Sequence, residues 1–268
     1  MAFTVLLSAR VNAQVTFRAV ADSAHTAPPA DAQIPYGTAP QQFTELRVPK
    51  GPGPYPVVML IHGGCWLAEY DLKHVVGIAE DLRQAGIATW TIEYRRVGDN
   101  GAGDPGTFDD IRAAYDSLLS QSKSRGLDRK RIVLVGHSAG GHLALWLAAE
   151  RGVKVRGAVG LAAITDIATY AAPTGCGAGI TNLLGGAPTG RTDVYNARSP
   201  VVRAKASGHV ALVVATDDHI VPRAQADAYV ARFPTTRVLE VPGGHFDVVA
   251  PWTDAWRSAL GAIRDLLR

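Results

Sequence analysis

A serine between two glycines, at the end of one apolar run and the start of another, has the setting of a nucleophile. Gly136-His137-Ser138-Ala139-Gly140 follows Ile132-Val133-Leu134-Val135 and leads into Leu143-Ala144-Leu145-Trp146-Leu147-Ala148. Strand, sharp turn and helix form the context that a G-x-S-x-G nucleophile elbow requires. The glycines leave room where side chains would clash, so the Ser138 hydroxyl can stand at the tip of the turn. The chain holds 28 glycines, so five residues alone could match by chance. The flanking strand and helix patterns argue against that.

A serine hydroxyl needs a base, and the base needs an orienting acid. Ala211–Ala215 reads as a strand running into Thr216-Asp217-Asp218-His219-Ile220-Val221-Pro222, and Val238–Val241 as a strand running into Pro242-Gly243-Gly244-His245-Phe246-Asp247. Both segments lie just past the carboxyl ends of strands, the edge where open parallel sheets bind ligands. His245, past the later of these two strand ends, is the candidate base. His219 adjoins the acid and cannot orient itself on it, His137 and His142 flank the elbow, and His209 precedes a strand. Asp217 and Asp218 both remain open as the acid. Acyl transfer also needs amides aimed at a developing oxyanion. The N–H of Ala139, next to the nucleophile, is one such donor. The loop His62-Gly63-Gly64-Cys65-Trp66, which follows the apolar strand Val57–Ile61, resembles the oxyanion loop of α/β-hydrolases, whose backbone amides supply such donors.

Together these segments resemble a single-domain α/β-hydrolase of the HGG-x-W esterase and lipase-like group, to which kynurenine formamidase-like enzymes also belong. The resemblance runs from about Phe43 to the C-terminus, and its motifs are specific for fold and reaction class but not for a substrate. It implies that Gly64 and Cys65 join Ala139 in an oxyanion hole, that His62 braces the loop, and that Trp66 walls the pocket. The D-x-x-V-P arrangement resembles the family's acid loop and selects Asp218 over Asp217. Thr91-Ile92-Glu93-Tyr94-Arg95 also looks family-like. Glu93 and Arg95 are expected to pair with each other, because a buried charge requires a partner.

The elements that must position these residues alternate. Phe43–Pro49 reads as a strand, Leu72–Ala85 as a helix and Ile87–Ile92 as a strand. Phe108–Ser122 reads as a helix with Ile111, Tyr115, Leu118 and Leu119 on one face. Gly157–Ala162 is a strand and Thr253–Leu267 a closing helix. This alternation predicts a mostly parallel sheet with helices on both faces, in one domain over 41–268. The irregular stretch of about Ala163–Ser207 is long for a compact domain. It is expected to form a small cap over the site, with Ile164, Leu183 and Leu184 lining the pocket.

The 268 residues are 47% hydrophobic and 19% charged, with a formal charge of +3, which suits a globular α/β domain with no basic patch for nucleic acid. No stretch approaches the ~18 apolar residues of a membrane helix. No Cys/His spacing suggests a metal, and the chemistry requires no cofactor. Oligomeric state is open. Residues 1–40 are expected as a flexible lead-in, in which Phe3–Ala9 is apolar and Val11-Asn12-Ala13-Gln14 resembles a signal-peptide cleavage site, so the compartment stays open. Cys65 and Cys176 could pair in an oxidising setting, but two free thiols are the simpler expectation. The expected activity is hydrolysis of small short-chain or aryl carboxylic esters through an acyl-enzyme. The alternatives are an arylformamidase acting on a small amide and a non-catalytic binding protein of the same fold.

Overall fold

The computed structural model describes residues 14–170 and 176–268. The chain opens with helix α1 (Phe17–Ser23), then strands β1 (Ala32–Pro35), β2 (Phe43–Arg47) and β3 (Tyr55–Ile61). Helix α2 (Lys73–Gln84) leads to β4 (Ala88–Ile92), and α3 (Gly106–Gln121) to β5 (Leu127–His137). Next come α4 (Ala139–Ala148) and β6 (Gly157–Leu161). Three short helices follow, α5 (Ile167–Tyr170), α6 (Cys176–Leu183) and α7 (Thr192–Arg198). The chain closes with β7 (His209–Ala215), α8 (Ala224–Arg232), β8 (Arg237–Val241) and α9 (Asp254–Leu267).

The eight strands form one sheet in the order β1-β2-β4-β3-β5-β6-β7-β8. β1 and β2 run antiparallel to their neighbours, and every pairing from β4 to β8 is parallel. Side chains alternate across each strand, so the central strands feed two cores. Val57, Met59, Ile61, Ile132 and Leu134 join the core on one face with α3 and α4, whereas Val58, Leu60, Val133 and Val135 join the other with α2 and α9. This is why the central strands read as unbroken apolar runs. On the second face, the Trp256 indole N–H donates to Asp81 at 2.7 Å and ties α9 to α2.

Two expectations about the chain's organisation change. Within the expected lead-in, α1 buries Val20 and β1 pairs with β2 in register Ala32↔Leu46 to Pro35↔Phe43. The Ala- and Pro-rich composition hid these elements, because long-range contacts hold them. The signal-like residues before Gln14 lie outside the described residues. The Ala163–Ser207 stretch carries α5, α6 and α7, and Ile164, Leu183 and Leu184 are packed into the core. Among the described residues, no helix is long and apolar enough to cross a membrane.

Candidate active site

The elbow is built by close backbone approach. A Cβ at Gly136 would lie 2.0 Å from the Gly140 carbonyl oxygen, and one at Gly140 would lie 2.2 Å from that of Ile61. Only glycine lets β5, α4 and the end of β3 come this near. Ser138 takes φ 55° and ψ −119°, a region that L-residues rarely adopt. Its N–H donates to Leu161 at 2.9 Å and its carbonyl accepts from His142 at 3.1 Å, which holds the turn.

His245 and Asp218 converge from the loops after β8 and β7. His245 Nδ1 lies 2.8 Å from Asp218 Oδ2, and both side chains are at least 95% buried. The other carboxylate oxygen of Asp218 accepts the N–H groups of Ile220 and Val221, each at 2.8 Å. Burial pushes the Asp218 carboxyl up, but the His245 hydrogen bond, its charge and the two amides outweigh burial and hold it below the usual range. Asp217 is exposed, with its side chain against the Thr216 hydroxyl. The loop therefore aims Asp218, not Asp217, at the imidazole.

The HGGCW loop turns through three successive left-handed residues, Gly64 (φ 102°), Cys65 (φ 53°) and Trp66 (φ 59°). A Cβ at Gly64 would lie 2.2 Å from the Cβ of Tyr70, so this position requires glycine. Among the described residues, no protein acceptor takes the N–H of Gly64 or Cys65. The N–H of Ala139 opens α4 and has no intrahelical partner by construction. All three belong to the segments that converge on Ser138.

Buried polar groups fix this loop from beneath. His62 presents Nε2 to Glu93 at 2.8 Å and Nδ1 to the Gly63 carbonyl at 2.8 Å, and its ring stacks on Tyr94 at 4.4 Å. Burial raises the Glu93 carboxyl, but the His62 charge and hydrogen bond, Arg96 and the Leu72 amide bring it below its ordinary value. The expected Glu93–Arg95 pair is therefore corrected. Glu93 pairs with Arg96 at 2.9 Å, and Arg95 with Asp110 of α3 at 2.5 Å. The chain leaves the sheet at Ile92, so strand alternation no longer decides which arginine faces inward.

Two further histidines were not picked out as site residues by the sequence. His74 accepts the Gly63 N–H on Nε2 at 3.2 Å and donates from Nδ1 to the Asp71 carbonyl at 3.2 Å. Burial, then the His62 charge, lower it to about 3. His137 Nε2 donates to the carbonyl of His245 at 2.9 Å. Burial, then His245 and His74, keep His137 well below its ordinary value. Both neutral rings brace the loops that carry the site, and both line the cavity that holds Ser138. The only signal for His137 was its place inside the elbow, and His74 had none beyond helix α2.

Ser138 and His245 open into a cavity of about 490 Å³, within the usual range for ligand pockets. Gly64 and Cys65 line it, as do Phe17, Leu67, Tyr70, Ile220 and Phe246. Trp66, Ile164, Leu183 and Leu184, expected as pocket residues, are not among the described residues that line it. All four are almost completely buried, and Trp66 packs edge-on against His142. The described cap residues are pinned to the body. Arg198 pairs with Asp104 at 2.6 Å, His142 reaches the Arg198 carbonyl at 2.8 Å, and Cys176 of α6 is disulfide-bonded to Cys65. The expectation of two free thiols is thus overturned. A sequence separation of 111 conceals the proximity of the two cysteines, and a Cβ at Gly179 would lie 2.5 Å from the Cys65 carbonyl. Among the described cap residues, Cys176 alone reaches the cavity.

Fold and site together define an α/β-hydrolase fold with serine, histidine and aspartate side chains gathered at the carboxyl edge of the sheet. Residues 46–233 match the BD-FAE family model, and the chain belongs to that family. It is 30% identical over 125 residues to the "Probable isoprenylcysteine alpha-carbonyl methylesterase" of Arabidopsis thaliana, a match covering 46% of this chain. The chain spans about a quarter of that relative's length, 26%. Among solved structures, a truncated carbohydrate esterase from gut microbiota superposes with TM-score 0.77 at 19% identity, covering 89% of this chain and 99% of that one. Esterase B from Lactobacillus rhamnosis, in an inhibited form, superposes with TM-score 0.78 at 19% identity, covering 93% and 91%.

Proposed function

We propose that the protein is a serine hydrolase of small carboxylic esters that works through an acyl-enzyme. The observation that carries this reading is the 2.8 Å contact from His245 Nδ1 to a buried, charge-favoured Asp218, with His245 and Ser138 lining one cavity. With Nδ1–H directed at Asp218, Nε2 is the free base. It takes the Ser138 proton as Oγ forms a bond to the ester carbon. The carbonyl π electrons move to oxygen, where the amides of Gly64, Cys65 and Ala139 receive the charge. Collapse breaks the bond to the alcohol oxygen, which leaves with the proton from Nε2. Water repeats the sequence on the acyl-enzyme and releases the acid. Relatives named as esterases support this reading, and the mainly apolar cavity suits a short-chain or aryl ester.

The test is labelling with an organophosphonate, read by intact mass. The expected result is one adduct on the wild type and none on Ser138→Ala. Equal labelling of both overturns the nucleophile, and an unlabelled folded wild type favours a binding role.

A further inference from the structure

The cavity has a wall that the mechanism leaves unexplained. Phe17, on α1, lines the same space as Ser138 and His245. Its ring meets Tyr70 edge-on at 5.1 Å and Phe246 at 5.8 Å, and all three rings are only half-buried. Half-buried aromatic faces around a cavity are apolar surface that an occupant can cover.

The segment holding Phe17 is anchored on both sides. Before it, Gln14 Nε2 donates to the carbonyl of Asp217 at 3.0 Å and the Val15 N–H donates to Asp247 Oδ2 at 3.1 Å. The same Asp247 oxygen accepts the Gly244 N–H at 2.9 Å, so one carboxylate joins the arm to the loop carrying His245. After it, Val20 is fully buried in the core shared with α2, where a Cβ at Gly77 would lie 2.6 Å from Ser23 Oγ. The ring is therefore presented to the cavity by a fixed arm that spans the acid and base loops.

Which half of a substrate meets this ring follows from the proton's path. Nε2 of His245 gives its proton to the departing alcohol oxygen, so the alcohol leaves along the His245 side. The His245 ring meets Phe246 at 5.1 Å, and Phe246 meets Phe17. We infer that the arm 14–23 is part of the substrate site and that Phe17 is a specificity residue for the leaving alcohol, selecting an apolar, ring-bearing one. This rests on the esterase reading above.

Two ester series test it. In the first the acyl group is fixed as acetyl and the alcohol varies from methanol to phenol to 2-naphthol. In the second the alcohol is fixed as ethanol and the acid varies from acetate to hexanoate. For Phe17→Ala, the ratio of kcat/KM for 2-naphthyl over methyl acetate should fall about tenfold, mainly through KM, as expected for losing one apolar wall. The hexanoate-to-acetate ratio should shift less than twofold. Phe17→Leu, which keeps apolar bulk without a ring, guards against misfolding and should fall between wild type and Phe17→Ala. An unchanged alcohol ratio in both variants, or a shift confined to the acyl series, overturns the inference while the esterase reading stands. A wild type that neither labels with the phosphonate nor hydrolyses either series overturns both.

Discussion

Asp217 and Asp218 are chemically identical neighbours, and their surroundings separate them. Asp218 is buried, accepts two backbone amides and faces the His245 imidazole, whereas Asp217 faces solvent. Asp218→Asn would offer His245 an amide and favour the wrong tautomer. With phenyl acetate, its kcat is expected to fall on the order of 10⁴-fold. Asp217→Asn should stay within a fewfold of wild type, and the opposite pattern would move the role to Asp217. The sequence made Ser138 and His245 legible because elbow, chain order and strand ends restrict them together. The partner of Glu93 was not legible, because Arg95 and Arg96 are adjacent in a loop where no periodicity applies. Nor was His74, whose acceptor role depends on the Gly63 amide arriving from another element.

The same contrast holds for whole elements. Strands and helices with strong apolar patterns were readable to within a few residues, from β3 through α9. The arm and the cap were not, because distant partners hold them. Val15 binds a carboxylate 232 residues away, and Cys65 is bonded across 111 residues. The disulfide fastens α6 to the HGGCW loop, so its removal should loosen the cap and the proposed oxyanion hole together. Closing a loop of this length restricts the unfolded chain by on the order of 3–5 kcal/mol. Urea unfolding of the oxidised protein against the Cys65→Ser, Cys176→Ser double variant should reveal a stability difference of that order. Coincident midpoints would show that the pair does not form in solution.

At the scale of the molecule, buried neutral histidines set the response to acid. Burial lowers His74 to about 3 and His142 to about 4, and it is also the main cause for His137. Below about pH 6.5 the unfolded chain takes up protons at these positions and the folded chain does not. Unfolding is therefore favoured as pH falls, by up to about 1.4 kcal/mol per pH unit for each ring. Glu93 and Asp218, both held below their ordinary values, act in the same direction at lower pH: their contribution is lost as pH falls through the carboxylate range. Chemical unfolding between pH 7.5 and 5 should thus give a steep decline that starts near 6.5. A flat profile down to pH 5 would contradict the neutral buried rings. The sheet itself was legible in outline because parallel strands buried on both faces leave unbroken apolar runs. Its two antiparallel edge additions were only half visible, since β1 is four residues long.

The left-handed turn at Ser138 sets the proposed activity against durability. A serine at φ 55°, ψ −119° holds its backbone where a side chain is disfavoured, at a cost of about 1–3 kcal/mol. Glycine has no such penalty, although it gives back about 0.5–1 kcal/mol as extra freedom in the unfolded chain. Ser138→Gly should therefore unfold at a higher temperature than Ser138→Ala, which keeps the Cβ and the strain. Calorimetry on the two variants would measure the difference directly, and an alanine variant at least as stable would mean the turn is relaxed. On this reading the chain would be sturdier without the side chain proposed as its nucleophile.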